Sequence, residues 1–450
     1  MTPSFDADAV VVGAGLSGLT AARKLVTVGR TVRVFEASAR LGGKIRTERF
    51  GGAHVDLGAH WIGPGQPRIT ALVKELGLAT EPQPLDGDQV VLVGGELRRF
   101  TGFLPRLRWG ATLDVAISTL RLEWMRHGVR FDGAPDDRAR RALDGRTAAE
   151  LADSIVRTSE ARALFDLSVK LIFGVAPDEL SALVFLAYLH SGRGYLSLTS
   201  FEGGAQATVL SGGMGQLVTR LADALSPRVT LEEPVTALVE EYDGVTVHTS
   251  RSRYRARRVI VAVPPPVAQR IRYEPPLPAS HETLQRRSTL GAWTKCVLEY
   301  EEAFWRDEGL CGVGLATDGP VQLVIDGSEP GRGRGLLVAM VTAGHAHALA
   351  KLEPRERRAE VTKAVARLFG PRAAEPVAFS DHPWGGDRFC GGAPVALPEL
   401  GVLSSLGGLP RAPTGRLHWA GTDLAERWNG YMEGALESGE RAADEVLGAL

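Results

Sequence analysis

The chain is poor in cysteine. Cys296, Cys311 and Cys390 are its only three in 450 residues. They are odd in number and far apart, which excludes a disulfide framework and a clustered-thiolate zinc site and predicts reduced thiols and no bound metal. Excess charge is missing too: Lys plus Arg number 52 and Asp plus Glu 53, leaving −1. No global field draws in nucleic acid or an anionic membrane, so neither polymer is an expected partner. No apolar run reaches the roughly 18 residues of a spanning helix. Leu113 to Met125 comes closest, but Asp114, Arg121 and Glu123 interrupt it. That segment is expected as an amphipathic helix of a soluble domain, the alternative being a helix lying on a membrane surface. Met1 to Ala9 lacks a basic stretch followed by an apolar one, so no export signal is expected and a cytoplasmic placement follows.

What the chain does have is glycine, 53 residues of it, and its most telling use is near the N-terminus. Val10-Val11-Val12 leads into Gly13-Ala14-Gly15-Leu16-Ser17-Gly18, followed by helical spacing from Leu19 to Val28. Strand, tight turn and helix start stand in the order that a dinucleotide-binding βαβ unit requires. Gly13 permits the turn, Gly15 lets a pyrophosphate approach the backbone, and Gly18 allows close helix–strand packing, while the helix N-terminus offers N–H donors. A second strand, Thr31 to Phe35, ends at Glu36. A carboxylate there can accept the ribose hydroxyls of an adenine dinucleotide and would repel the 2′-phosphate of NADP.

At 450 residues the length suggests two or three units, each with its own core. Arg68 to Leu76, Ala111 to His127, Thr147 to Leu164 and Glu179 to His190 read as helices, with a charged loop from Asp132 to Gly145. Short strands follow at Val229 to Leu231, Val235 to Glu240, Val245 to Thr249 and Tyr254 to Val263, and Val321 to Ile325 with Leu336 to Val341 reads as a hairpin. Helical spacing returns at Arg355 to Phe369 and Tyr431 to Leu447. The expected fold is α/β, a Rossmann-like nucleotide domain (1–85, 205–285 and 385–450) interrupted by a mixed α+β substrate-binding domain (86–204 and 286–384). A ligand would lie at their junction.

Several motifs coincide along this frame: GAGLSGL at 13–19, Glu36, LGGK at 41–44, DLGAHWIGPGQ at 56–66, GGMGQL at 212–217, VAVPP at 261–265, TKCVLEYEEAFW at 294–305 and HWAGTDLAERWNGYMEGALESGERAA at 418–443. Together they resemble the flavin-containing monoamine oxidase family, including its soluble bacterial members such as putrescine oxidase, over essentially the whole chain. The resemblance implies FAD, the p-hydroxybenzoate hydroxylase type of two-domain fold, and oxidation of an amine to an imine with O2 as acceptor and H2O2 as product. A homodimer is one assembly it allows. By the same resemblance the cofactor is held by Gly13, Gly15, Ser17, Gly18, Glu36, Ala37, Lys44, Gly58, Ala59, His60, Trp61, Val235, Trp384, Gly421, Thr422, Asp423, Tyr431 and Met432.

Two residues are expected to be catalytic. Lys295 lies inside an apolar strand-like run, Trp293 to Tyr300, where an ammonium needs a specific partner or must snorkel to solvent. The resemblance matches it to a lysine that holds a water beside the flavin. Tyr431 matches one wall of an aromatic cage around the amine, and Asn429-Gly430 opens a helix whose first N–H groups, that of Met432 included, can face the anionic edge of reduced flavin. The chain departs from the family at the opposite wall. Ala393 stands where many relatives carry a flavin-linked cysteine, and Pro394 stands where the second cage aromatic is expected. FAD is therefore expected to be non-covalent, with Phe389 or Trp384 as substitutes for the missing ring. Lys44 replaces an arginine and keeps a positive charge near the phosphates. The sequence ends at Leu450, without the spanning tail of membrane-anchored relatives, so no membrane anchor is expected.

Leu171, Leu198 and Leu323 match cavity positions of relatives and favour a monoamine with an alkyl or aryl body, although apolar residues there would equally suit plain core packing. A diamine would want a carboxylate at the far end, for which Glu202, Asp326 and Glu329 are available, in loops expected to be solvated. A related dehydrogenase or desaturase that avoids O2 is the remaining enzymatic alternative. A neutral amine entering an apolar site needs no side-chain base, and kcat/KM should then rise with pH toward the amine's own pKa.

Overall fold

A computed structural model describes residues 5–134, 137–329 and 331–450; Met1 to Ser4, part of the segment read for an export signal, lie outside them. Strand Ala7–Val12 is apolar and buried at every position but Asp8, as a central parallel strand must largely be. It pairs in parallel with Val32–Phe35 on one side and Arg253–Val261 on the other. Val229–Thr230 extends the sheet beyond Val32–Phe35, Leu417–Trp419 joins Arg253–Val261, and the antiparallel strands Val245–Thr249 and Val235–Glu240 carry it on to Arg272–Glu274. The helix Leu16–Thr27 follows the first strand and lies against the C-terminal helix Met432–Ala449. Two glycines allow this layering: a Cβ on Gly18 would overlap the Gly13 carbonyl oxygen, and one on Gly439 would overlap that of Ser17.

A second sheet of seven strands runs in the order Ala378–Pro383, Trp293–Tyr300, Gly335–Thr342, Leu323–Asp326, Leu310–Ala316, Asp88–Val93, Glu96–Phe100. The pair read as a hairpin is its centre, with Leu323 opposite Met340. The strands at 88–100 fall in a stretch to which the sequence reading assigns no element. The helices between 109 and 199 differ from expectation. Thr147 to Leu164 is not one helix but two, Ala148–Ile155 and Ser159–Phe173, broken where Thr158 caps the second. The charged loop contains a helix, Arg138–Asp144, capped by Asp137, whose carboxylate accepts from the Ala139 and Arg140 amides.

The largest reversal is Trp109–Met125. Its buried residues are Ala111, Asp114, Ser118 and Leu122, so polar groups face inward and most of its large apolar side chains face out. Asp114 explains the orientation. Its carboxylate accepts from the Arg157 amide at 2.8 Å, the Thr158 amide at 2.6 Å and the Thr158 hydroxyl at 2.9 Å, so it closes the break between the two helices. Rotating the helix would leave those donors unpaired.

Candidate functional site

One cavity of about 630 Å³ reaches from the N-terminal glycine turn to the helical layer, within the size range of small-ligand sites. At one end lies the turn. Gly13, at φ +101°, donates its N–H to Phe35 at 2.8 Å, and Gly15 begins the helix Leu16–Thr27 without any side-chain cap. A Cβ on Gly15 would meet only the Gly43 Cα at 3.9 Å. Backbone amides, an uncapped helix end and an unfilled cradle are the features that suit a pyrophosphate. The Ser17 hydroxyl is buried on this wall without a protein partner, a further donor for the same guest. Glu36 and Ala37 stand beside it. The Glu36 carboxylate accepts from the Ala14 amide at 2.8 Å and from the Ser38 amide and hydroxyl at 2.9 Å, so it also braces the turn.

Of the residues assigned by sequence, Gly13, Gly15, Ser17, Glu36, Ala37, Lys44, Gly58, Ala59, His60, Trp61, Val235, Trp384, Gly421, Thr422, Asp423, Tyr431, Met432, Lys295, Leu171, Leu198, Leu323, Phe389 and Pro394 all line this one cavity. Gly18 does not. Its place is behind the turn, where it lets the helix touch Gly13.

Lys44 donates to the Pro394 carbonyl at 2.8 Å and lies 3.5 Å from Asp423, whose carboxylate also accepts from the Ala396 amide at 2.6 Å. These links bind the turn region to the segment around Ala393. Lys295 does not snorkel: it is 3% exposed and donates to the carbonyls of Asp56 at 3.0 Å and Gly58 at 2.8 Å, with the Trp61 ring 5.8 Å away. Burial pulls its pKa down to about 8, with the Asp56 carboxylate opposing. His60 also lines the cavity; burial lowers its pKa although its ring meets Asp56 at 3.3 Å.

Tyr431 caps the N-terminus of Met432–Ala449. Its ring lies 6.1 Å from Tyr188 and 5.1 Å from Trp428, and it shares a hydroxyl hydrogen bond with Tyr188. Burial pushes both phenols well above their ordinary range. Tyr188 was not foreseen, since its helix Ala182–Ser191 reads simply as buried and apolar. Other cavity residues not foreseen include Gln206, whose side-chain carbonyl has no partner among the described residues, and Trp293, whose indole N–H has none. An amide within a Gly-rich run, FEGGAQA, was the available signal for Gln206.

Away from the turn the wall includes Leu164, Leu167, Leu171, Ile172, Leu198 and Leu323, with the hydroxyls of Tyr195 and Ser168 paired to each other at 2.9 Å. None of the acids considered for a diamine lies on it. Asp326 ends a buried strand rather than a solvated loop, accepting from the Trp305 indole at 3.0 Å and from Arg306 at 2.7 Å. Glu329 accepts from the His54 amide at 2.8 Å, and Glu202 is exposed.

Comparison with known proteins agrees with this cavity. Residues 16–447 match the model of the flavin containing amine oxidoreductase family. The chain is 34% identical over 450 residues to amine oxidase [flavin-containing] A of Equus caballus, covering 98% of this chain and 85% of that one. It is 32% identical over 459 residues to an L-amino acid dehydrogenase of Synechocystis, covering 100% and 97%. A solved structure of wild-type putrescine oxidase bound to putrescine superposes with a TM-score of 0.94 at 31% identity, covering 99% of this chain and 100% of that one. Among the described residues no helix is long and apolar enough to cross a membrane. With an uncapped glycine cradle fit for the dinucleotide, a Rossmann-like domain interrupted by a substrate domain, and this relationship along nearly its whole length, the chain belongs to the flavin-containing amine oxidoreductase family and is an FAD-dependent oxidoreductase acting on amines.

Proposed function

We propose that the chain oxidises a primary monoamine with an alkyl or aryl body to the imine, which water converts to aldehyde and ammonia, with O2 taking the electrons to give H2O2. The observation that carries this reading is the placement of acids on the cavity wall. Its described carboxylates are Glu36, Asp387 and Asp423. All three are engaged near the turn or the 387–394 segment, Asp387 by Arg40 at 3.0 Å and Asp423 by Lys44. The leucine-lined end has none, so a second ammonium would lie there unpaired.

Bound FAD supplies a two-electron acceptor for the substrate's C–H bond. The chain's own residues do the rest. Tyr431 gives the amine a ring wall, the first turn of Met432–Ala449 presents partial positive charge, and the leucines exclude water. No side-chain base is required for an amine that enters deprotonated. Lys295, with two of its three donors spent on carbonyls, keeps one N–H for a guest on the cavity side.

Anaerobic mixing of the holoenzyme with hexylamine, benzylamine and putrescine tests the reading through loss of flavin absorbance. The monoamines should give kcat/KM about 10²-fold above putrescine, the effect of leaving one ammonium unpaired. Putrescine bleaching the flavin as fast as either monoamine would overturn it. Similarity to an L-amino acid dehydrogenase and Pro394 in place of a ring favour the second reading, a dehydrogenase. The same enzyme assayed with a dye in place of O2 separates the two.

The flavin is proposed to be non-covalent. Ala393 has no sulfur, and the nearby Cys390 is buried, lies 3.8 Å from Arg40 and has its thiol pushed up to about 12 by burial, so it offers no thiolate. Acid precipitation should leave all the yellow colour in the supernatant; colour in the pellet would refute the proposal.

A further inference from the structure

Among the described residues none covers the outward face of the helix Trp109–Met125. Trp109 is 84% exposed, Leu113 52%, Ile117 40%, Leu120 70% and Trp124 78%. Their spacing of four, four, three and four residues puts them on one stripe about 22 Å long. Leu196, on the short helix Tyr195–Thr199 packed alongside, and Phe103, just before the helix, add exposed apolar surface. Scattered apolar residues are ordinary on a protein surface, but a contiguous stripe of this size marks an interaction site. Asp114 locks the helix in this orientation through its three donors.

Charge identifies the occupant. Between residues 101 and 130 the exposed ionisable side chains are Arg106, Arg108, Arg121, His127 and Arg130. The acids of that stretch are withdrawn, Asp114 by burial and Glu123 by its 2.6 Å pair with Arg126. Arg108 reaches Glu160 at 3.7 Å and Glu96 at 3.9 Å, which offset part of its charge and leave Arg106, Arg121 and Arg130 as the exposed cations of the stretch. A two-fold contact with a second copy would set these like charges against one another. An anionic surface would be attracted to them instead. The overall charge of −1 conceals this local excess.

We propose that this face docks on an anionic lipid surface, with Trp109 and Trp124 seated at the headgroup level and Leu113, Ile117 and Leu120 below it, while the arginines meet lipid phosphates. Tryptophan at both ends and basic residues around an apolar stripe are what an interfacial helix needs. Phe103, Leu104, Pro105, Val115 and Thr119 from the same stretch also line the large cavity. Docking therefore brings that cavity to the bilayer, where a lipophilic ligand concentrates.

The test is cosedimentation of the purified holoenzyme with phosphatidylcholine vesicles containing about one third phosphatidylglycerol, and with pure phosphatidylcholine. Binding is expected to the first, reduced about tenfold by the substitutions Trp109→Ser, Leu120→Ser and Trp124→Ser together and weakened by salt. The variant should keep its flavin absorbance and wild-type Tm, because all three side chains are exposed. Absence of binding to the anionic vesicles, equal binding to both lipids, or binding that the variant retains would each overturn the proposal. So would a dimer in analytical ultracentrifugation that the variant converts to monomer without any vesicle binding. None of these readouts depends on which amine the enzyme oxidises.

Discussion

A Gly18→Ala chain is expected to emerge from purification without flavin and to bind added FAD at least 10²-fold more weakly than wild type. The new Cβ would overlap the Gly13 carbonyl oxygen and come within 3.2 Å of the Val11 side chain. Neither can yield cheaply, since Gly13 is held by its bond to the Phe35 carbonyl and Val11 is fully buried in the sheet. The helix Leu16–Thr27 must lift away, taking Gly15 and Ser17 off the cavity wall. Overpacking of this kind costs about 1–3 kcal/mol in stability, so a lower Tm should accompany the loss. Gly15→Ala supplies the contrast. Its Cβ meets only open cavity and the Gly43 Cα at 3.9 Å, at an ordinary negative φ of −73°. That variant should melt like the wild-type apoprotein yet lose FAD, because the methyl group occupies space reserved for the ligand. Fluorescence titration with FAD and a thermal melt distinguish the two. Wild-type FAD affinity in Gly18→Ala would show that the turn does not position the cofactor.

The difference between these glycines was legible in the sequence because it rests on local chain geometry. Strand, turn and helix follow one another within residues 7–27, and the spacing of Gly13, Gly15 and Gly18 fixes which approaches backbone, which faces a ligand and which packs. The helix opening at Met432 was legible for the same reason. What could not be read depends on partners far along the chain. Trp109–Met125 has helical periodicity, but its orientation is decided by Asp114 receiving the amides of Arg157 and Thr158, and the sequence pattern alone points its apolar stripe the wrong way. Asp88–Val93 becomes a strand because it runs in parallel with Leu310–Ala316, more than two hundred residues on. Gln206 and Tyr188 reach the cavity through loop and helix placements that no short motif records.

Lys295 combines both situations, since its burial in a strand could be anticipated while its acceptors could not. With the Asp56 and Gly58 carbonyls taking two N–H groups, the ammonium is fixed at the cavity rather than floating beside it. In Lys295→Met the apolar stem is kept and the charge and donors are lost. The expected result is a fall of about 10²-fold in kcat/KM for O2, the usual effect of deleting one preorganised donor at a developing charge, while turnover with an artificial dye acceptor stays within a few-fold. A purely structural role would lower both together, and equal losses would sink the assignment. The pH dependence gives an independent check. Burial holds the Lys295 pKa near 8, below its ordinary value of 10.5, so the ammonium is fully present below that pH and is lost as pH rises through it. The O2-dependent rate of the wild type should therefore decline across pH 8 toward that of Lys295→Met, whose own profile lacks the transition. In dye-linked assays the two proteins should follow the same pH profile throughout, since there the ammonium has no part to play.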